Sequence, residues 1–529
     1  MNITPGNFTK FVIKWKTVLL FTVIFAVGIV ARVWEFGSLP PGLNPDEASI
    51  GVEAFDLYNF GVDRYGLPYP IHLISWGSGQ NALYAYLLIP FVALRGVGPV
   101  AVRLPMMLSG ILSLILVFIA GQRLLGTRFA LLAMFFMAIS PWHIVNTRWA
   151  VESNIMPFFF LAGFTTLTLS TIKNWWFLPS FVLFAFCLYA YGTAYVGVPV
   201  FLALLIPAML YTKRMSAKQA LAGFAVFAVI AAPILLFIAV NTFKLETLQL
   251  GMLTIPRLPV EARYETMAAV FGENPFSAMW GNAVILFKML WTQEDAFPWN
   301  FVAPFGYFYT ITLPLAAAGF ALTMPFATLK ETRLERWFLF SWVAAALAIG
   351  ILHPVNLTRA NLIFTPILLC VAILILQLEK RIPQLLPMTA FVFSVGFIFF
   401  NTAYHGEDYQ RRTSALFNEG IIPAIEFATE KSDSLVCFTE QRYSLYIYVL
   451  LTQKYRPSEY VDQLEWISPL DPADPARTPR AINNYRFKLE DCAGAPNAVY
   501  VLTLKEKPPV SGIEYTTRKF EKFLVYLPK

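Results

Sequence analysis

Long apolar stretches separated by short polar loops run from residue 16 to residue 402 of the chain. A helix of about 20 apolar residues crosses the hydrocarbon core of a bilayer. The pattern therefore predicts a polytopic α-helical membrane protein with about eleven spanning helices. The predicted spans are 16–33, 103–121, 128–141, 154–172, 175–191, 195–211, 218–240, 305–327, 336–352, 359–378 and 384–402.

Basic residues occupy every second loop between these stretches, for example at 10–16, 123–128 and 213–218. Because cytoplasmic loops are enriched in Lys and Arg, the N-terminus is predicted inside and the C-terminus outside. A later external loop then covers about 241–304, and the first external loop covers about 34–102. Its apolar segment 81–94 is short for a span, and we predict an interfacial helix there.

The composition is that of a membrane protein. Of the 529 residues, 57% are hydrophobic and only 14% are charged, whereas soluble domains contain about 25% charged residues. The net charge of +7 includes no basic run of the kind that binds nucleic acid, so no nucleic-acid partner is expected. We expect an integral, multi-pass protein of the plasma (inner) membrane, with the lipid bilayer as a partner.

The pattern changes after about residue 404. Charged residues recur every few positions, and helical and strand patterns alternate. This predicts a small extracytoplasmic α/β domain at 405–529 after a transmembrane domain at 1–404. The stretch 468–479, rich in Pro and Asp, is predicted as a loop. Cys437 and Cys492 lie in this domain and are disulfide candidates if it faces an oxidising compartment.

Polar residues concentrate in the predicted external loops. Since such residues are costly at membrane depth, this indicates one shared external active site or binding cleft. In the first loop, Asn44-Pro-Asp-Glu47 has the residues of a capping box, with Asn44 as N-cap and Glu47 as the third helical residue. The helix that follows is predicted to lie with one apolar face on the membrane. Capping accounts for Glu47 and leaves Asp46 unexplained. Asp46 is either a further polar residue at a helix start or a catalytic acid.

Other polar residues of these loops also admit two interpretations. Glu152 follows Arg148 by four residues, so the two form a helix-start pair or Glu152 is a second acid that binds a metal or orients the substrate. His143 is an interfacial histidine or a site residue. Tyr191 belongs to an aromatic belt or lines a site.

Arginines near the outer ends of helices raise a similar choice. Arg359, six residues after His353, is an interfacial anchor or a phosphate ligand, because a guanidinium fork matches a phosphate. Arg103 and Arg64 admit the same two interpretations.

Four segments resemble a known family. They are NPDEASIGVEAFDLYNFGVDRYG in the first loop, ISPWHIVNTRWAVESN in the second, YGTAY at 191–195 and NLTRANLIFTP around Arg359. In this order they are similar to the prokaryotic branch of the dolichyl-phosphate-mannose–protein mannosyltransferases. That family belongs to the GT-C glycosyltransferase superfamily, which also contains the lipid A aminoarabinose transferases. The resemblance covers about 16–400.

The resemblance implies a GT-C fold and an inverting transfer of a sugar from an undecaprenyl- or dolichyl-phosphate donor. The acceptor is a hydroxyl of an extracytoplasmic glycan, lipid or protein. Asp46 corresponds to the base that deprotonates this hydroxyl, Glu47 completes the acidic pair, and Glu152 matches the acid of the second external loop. Many relatives carry a second acid where this chain has Arg64, so a role for that position is not carried over.

The lipid phosphate is expected to contact basic residues at the mouths of later helices, with Arg359 as the best match. Further candidates for binding the substrate or the lipid phosphate are His353, Arg148, Arg103, Tyr191 and His143. No cofactor follows from the sequence, and if a divalent metal takes part, Asp46 and Glu152 are its candidate ligands. Two alternative functions are a polytopic transporter and a non-catalytic envelope-assembly protein.

Overall fold

The computed structural model describes residues 5–262, 269, 274–294, 297–323, 334–431, 434–465 and 478–529, with side chains from residue 15 onward. Two features of the sequence analysis lie outside this part of the chain. They are the basic side chains of Lys10 and Lys14, and most of the predicted loop 468–479.

Helices dominate the chain up to residue 404. In chain order they are α1 (Pro5–Val33), α2 (Pro45–Phe60), α3 (Leu83–Arg95), α4 (Pro99–Leu125), α5 (Thr127–Ile139), α6 (Pro141–Asn146), α7 (Glu152–Ser170), α8 (Phe177–Ala190), α9 (Ala194–Tyr211), α10 (Ala217–Thr242), α11 (Pro275–Thr292), α12 (Thr312–Ala321), α13 (Leu334–Leu352), α14 (Phe364–Glu379) and α15 (Leu385–Tyr404). Each predicted span contains one of these helices.

Eight helices in the described part of the chain are long and apolar enough to cross a membrane. They are α1, α4, α7, α9, α10, α13, α14 with its preceding turn, and α15. The predicted spans at α5, α8 and α12 hold shorter apolar helices. The apolar pattern therefore located the helices well, because period and length are both visible in the sequence.

The helices pack around a core of large aromatic side chains. Helix α4 packs against α5 and α7, α7 against α8, and α9 against α13. The Trp342 ring of α13 lies 5.0 Å from Phe160 and 4.5 Å from Phe164 of α7, measured between centroids. Its indole N–H donates to the carbonyl of Leu362 at 3.0 Å, so the buried polar group is satisfied.

Two elements differ from the sequence interpretation. Helix α11 lies within a segment that we assigned to an external loop, because polar residues such as Asn282 and Lys288 interrupt its apolar run. Helix α2 was expected to lie with one apolar face on the membrane. Instead it is buried on both faces, because α3 packs on one side and the C-terminal region packs on another.

The C-terminal region contains helices α16 (Glu407–Ser414), α17 (Ile421–Lys431) and α18 (Tyr446–Gln453) and a six-stranded sheet. After the short strands β1 (His72–Leu73), β2 (Gln80–Asn81), β3 (Leu248–Leu250) and β4 (Leu253–Ile255), its strands are β5 (Val436–Phe438), β6 (Ala481–Ile482), β7 (Tyr485–Arg486), β8 (Val499–Thr503), β9 (Tyr515–Phe520) and β10 (Phe523–Pro528).

The sheet order is β6-β7-β5-β8-β10-β9, with β5 parallel to β7 and β8 and the other pairs antiparallel. A disulfide joins Cys437 on β5 to Cys492. We call residues 405–529 the C-terminal unit.

The C-terminal unit rests on the first loop. Its hydrophobic core is continuous with Leu43, Ala48, Val52 and Trp76 of that loop. The Tyr448 hydroxyl of α18 donates to the backbone carbonyl of Leu43 at 2.7 Å, directly before the Asn44 motif. The C-terminal unit therefore covers the helix start that carries the two acids.

Candidate functional site

The start of α2 fixes the positions of both acids. Oδ1 of Asn44 accepts a hydrogen bond from the backbone N–H of Asp46 at 3.0 Å, and the backbone N–H of Asn44 donates to Oε2 of Glu47 at 3.1 Å. With Pro45 in the first turn, these contacts form a capping box. The capping role predicted for Glu47 is confirmed.

Glu47 also forms a buried ion pair. Arg103 donates from Nε to Oε1 and from Nη2 to Oε2 of Glu47, both at 2.7 Å, and the backbone N–H of Ala150 donates to Oε1 at 2.8 Å. Arg103 further donates to the backbone carbonyls of Gly37, Pro40 and Gly42. Both side chains are fully buried, and their ion pair holds the first loop, α4 and the second loop together.

Arg148 is buried in a similar way. It donates to backbone carbonyls at the end of α1 and just beyond it, namely those of Ala31, Arg32, Glu35 and Leu39. A cation is favourable at this position because the carbonyl end of a helix carries partial negative charge. The guanidinium of Arg148 is therefore directed at α1.

Asp46 has a different environment from Glu47. It is partly exposed, and its Oδ1 accepts a hydrogen bond from Nε1 of Trp76 at 2.9 Å. No hydrogen bond reaches Oδ2 from the residues that the structure describes. One oxygen of this carboxylate is thus held by a donor, and the other remains available to a substrate.

The part of the first loop that follows Trp76 contacts Glu152. Nε2 of Gln80 donates to Oε2 of Glu152 at 2.8 Å, and the hydroxyl of Ser75 donates to Oε1 of Gln80 at 2.9 Å, which fixes the amide. The segment Trp76–Gln80, sequence WGSGQ, thereby binds Asp46 through its first residue and Glu152 through its last.

Glycine is required in this segment. Gly77 and Gly79 have φ of 96° and 89°, a backbone region that residues with a side chain rarely occupy. A Cβ on Gly79 would also lie 2.6 Å from the imidazole of His72. The glycine-rich run is visible in the sequence, but its contacts to both acids depend on the tertiary fold.

A cleft brings four of the predicted site residues together. Its lining includes Glu152 at the start of α7, Tyr191 after α8, and His353 and Arg359 after α13. The lining also contains polar residues that the sequence analysis did not select, among them Gln80, Asn81 and Thr193. The predicted residues outside this lining are Asp46, Glu47, Arg103, Arg148 and His143.

The turn between α13 and α14 presents the cationic side of the cleft. Oδ1 of Asn356 accepts a hydrogen bond from the backbone N–H of Arg359 at 3.0 Å, and Nη1 of Arg359 donates to the carbonyl of Pro354 at 2.8 Å. Burial, together with the charge of Arg359, lowers the pKa of His353. His353 is therefore a neutral hydrogen-bonding group at pH 7, and Arg359 supplies the charge.

Asn361 joins this turn to the second loop. Its Oδ1 accepts hydrogen bonds from Nε1 of Trp142 at 3.0 Å and Nδ2 of Asn146 at 2.7 Å. Its own amide donates to Oδ1 of Asn154 at 3.1 Å, two residues after Glu152. An asparagine near the outer end of a span can be recognised in the sequence as a candidate polar contact. The partners of Asn361 cannot be recognised in this way, because they are distant in sequence.

His143 lies at another position. Its Nδ1 is hydrogen-bonded to Nη2 of Arg32, and the residue lines a smaller cavity with Trp142 and Asn146. The structure therefore separates His143 from the cleft of Glu152 and Arg359.

Asp46 and Glu152 are the candidate ligands if a divalent metal takes part. Among the described residues there is no group of three or more His, Cys, Asp or Glu side chains that could hold a metal ion. One oxygen of Asp46 and one of Glu152 accept N–H donors from Trp76 and Gln80. We assign no step of the reaction to a metal.

A cluster of buried acids lies on α2 and just beyond it. Glu53 pairs with Arg64 at 3.3 Å, and burial raises the pKa of Glu53 although Arg64 opposes the shift. Burial, reinforced by the charge of Glu53, raises the pKa of Asp56 to about 9 and that of Asp63 to about 8. At neutral pH the cluster therefore holds Asp56 and Asp63 in the protonated form.

The comparisons with known proteins agree with this architecture. Residues 81–237 match the family described as dolichyl-phosphate-mannose-protein mannosyltransferase. No curated protein sequence matches the chain significantly. Among solved structures, the chain is similar to ArnT from Cupriavidus metallidurans bound to undecaprenyl phosphate. The TM-score is 0.57 at 12% identity, over 96% of this chain and 97% of that one.

The chain is also similar to the oligosaccharyltransferase of Archaeoglobus fulgidus in complex with Zn and sulfate. The TM-score is 0.53 at 13% identity, over 82% of this chain and 61% of that one. For the oligosaccharyltransferase AglB from the same organism, in complex with an inhibitory peptide and a dolichol-phosphate, the TM-score is 0.50 at 12% identity, over 83% of this chain and 64% of that one. The chain thus spans less than two thirds of the oligosaccharyltransferase.

These findings define an integral, multi-pass membrane protein with the GT-C fold. The family model matches residues 81–237 and the overall fold is similar to that of ArnT, so the chain resembles the PMT/ArnT-type GT-C glycosyltransferases in sequence and in fold. The family resemblance drawn from the sequence is confirmed, and so is the polytopic membrane fold.

The protonated Asp56 leads to a prediction about pH and stability. Its pKa is raised from the ordinary value of about 4 in the unfolded chain to about 9 in the folded protein. Stability from this group is therefore full below pH 4 and is lost as the pH rises toward 9. We expect Asp56→Asn to reduce the decline of the unfolding temperature between pH 6 and pH 9, measured in detergent by intrinsic fluorescence.

Asp408→Asn is the matched control, because Asp408 is 72% exposed on α16. Its pH profile should follow that of the unmodified protein. An Asp56→Asn protein with the same decline as the unmodified protein would contradict the assignment of a protonated, buried Asp56.

Proposed function

We propose that this protein transfers a sugar from a polyprenyl-phosphate donor to an extracytoplasmic hydroxyl, with inversion at the anomeric carbon. The observation that carries the proposal is the loop Trp76–Gln80, which holds Asp46 at one end and Glu152 at the other, beside a cleft that contains Arg359. The similarity to ArnT bound to undecaprenyl phosphate and to AglB with dolichol-phosphate supports a lipid-linked donor.

In this mechanism Asp46 is the base. Its Oδ2 accepts the proton of the acceptor hydroxyl as the oxygen attacks the anomeric carbon, and the bond between that carbon and the phosphate oxygen breaks. The electron pair leaves with the lipid phosphate, and Arg359 stabilises the developing charge. A single displacement of this kind inverts the anomeric configuration. Glu152 lines the cleft and is assigned to sugar hydroxyl recognition.

The placement in the membrane is part of the proposal. We infer about eleven spans, the N-terminus inside, and the C-terminal unit outside, with residues 1–404 as the catalytic transmembrane domain and 405–529 as the extracytoplasmic domain. The basic residues in alternate loops support this orientation. The Cys437–Cys492 disulfide also supports it, because disulfides persist in oxidising compartments.

Substitution of the base tests the mechanism. Asp46→Asn keeps the acceptor for the Trp76 N–H and removes the proton acceptor, so we expect transfer to fall by about 100-fold or more. The measurement is sugar transfer in membranes supplied with polyprenyl-phosphate sugar, at matched protein levels. Asp408→Asn, at an exposed site, should leave the rate unchanged.

Glu152→Gln is the comparison for Asp46→Asn. It retains the carbonyl that accepts from Gln80, and we expect weaker donor use with residual transfer. If Asp46→Asn is active and Glu152→Gln is not, Glu152 and not Asp46 is the base. If both variants transfer normally, the proposed enzyme mechanism is wrong.

The phosphate assignment gives a second prediction. Arg359→Ala should raise the KM for the donor by about tenfold or more, because a charge-assisted hydrogen bond is lost. Arg359→Lys keeps the charge without the fork and should have a smaller effect. Arg411→Ala, at a 72% exposed site, is the control. If the three variants and the unmodified protein have equal KM values for the donor, Arg359 is only an interfacial anchor.

A further inference from the structure

Trp76 is packed between two parts of the chain. The guanidinium carbon of Arg64 lies 4.8 Å from the centroid of the indole ring, which is a cation–π geometry. On the C-terminal unit, the ring of Tyr446 approaches Trp76 edge to face, with centroids 6.3 Å apart and planes at 89°. Only 7% of Trp76 is exposed, so its ring has little freedom to rotate.

Arg64 is itself fixed. Its Nε lies 3.3 Å from Oε1 of Glu53, its Nη1 donates to the hydroxyl of Ser49 at 2.7 Å, and its backbone N–H donates to Oε2 of Glu53 at 3.1 Å. The hydroxyl of Tyr460 in the C-terminal unit donates to the Arg64 carbonyl at 2.9 Å. The ion pair and the stacked ring thus form one rigid assembly beside Asp46.

We propose that Trp76 is a positioning residue that acts through Asp46, an inference that rests on the proposed function. The indole N–H binds Oδ1 of Asp46 at 2.9 Å and prevents rotation of the carboxylate. Oδ2 is thereby directed toward the acceptor hydroxyl before it binds. Preorganisation of this kind raises kcat, because the base does not have to be oriented at the moment of reaction.

The proposal gives the C-terminal unit a part in the reaction. Tyr446 lies on α18 and contacts Trp76, and it is not one of the residues that line the cleft. Its contribution to catalysis would pass through the indole ring. A change at Tyr446 is therefore expected to alter kcat and to leave the KM for the donor unchanged.

The test compares two substitutions of Trp76, one that keeps its packing and one that keeps its N–H donor. Trp76→Phe keeps a large apolar ring and lacks the N–H, whereas Trp76→His has a smaller ring that retains an N–H donor. We expect Trp76→Phe to lower kcat by about tenfold or more, with the donor KM within about twofold. Trp76→His should have the higher kcat of the two although it packs less well and unfolds at a lower temperature.

The order of the two variants decides the question. If Trp76 only fills space, kcat follows stability and the Phe variant is the more active, which overturns the proposal. Trp280→Phe is the control for the substitution itself, because Trp280 is 74% exposed on α11. Tyr446→Leu should lower kcat at constant donor KM, and an unchanged kcat would overturn the role of the C-terminal unit.

A failure of the proposed function gives a different result from a failure of the positioning role. If Asp46→Asn transfers sugar at the normal rate, the base assignment is wrong, whatever the Trp76 variants do. If Asp46→Asn is inactive while Trp76→Phe has a normal kcat, the base stands and the positioning role is refuted.

Discussion

The buried ion pair between Glu47 and Arg103 is the constraint on which the site depends. Two charges without solvent are stable only when their hydrogen-bonding groups are satisfied. Here the carboxylate receives two hydrogen bonds from Arg103, one from its own helix start and one from Ala150. These contacts fix the start of α2 against α4 and the second loop. Asp46 and Glu152, the neighbours of this junction in sequence, are placed as a consequence.

The contacts at this junction explain why the arginines near the site have different roles. Arg103 and Arg148 donate to backbone carbonyls in and after α1, so they hold the irregular chain between α1 and α2. Arg359 sits on a turn at the cleft and is only partly buried, so its charge can act on a ligand. Burial and partners, and not residue type, separate the arginines of the framework from the arginine of the cleft.

Sequence patterns predicted those features that depend on local order. The spans follow from apolar length, and the capping box follows from Asn44, Pro45 and Glu47, which are adjacent. The family resemblance identified Glu152 and Arg359, which share the cleft. The sequence could not reveal the burial of α2, because the chain that covers it lies about 400 residues further on. Nor could it assign Arg103, whose partners are set by tertiary contacts.

The position of Asp46 outside the cleft lining bears on how two substrates meet. In the proposed reaction the lipid-linked donor reaches the protein from the bilayer, and the cleft with Arg359 is lined by Glu152 of α7 and Phe237 of α10. The proposed acceptor hydroxyl arrives from the external side, and Asp46 lies where α2 meets the C-terminal unit. Because the WGSGQ loop contacts both acids, it forms the boundary between these two approaches. Its two glycines permit the tight path that keeps both carboxylates within reach of one loop.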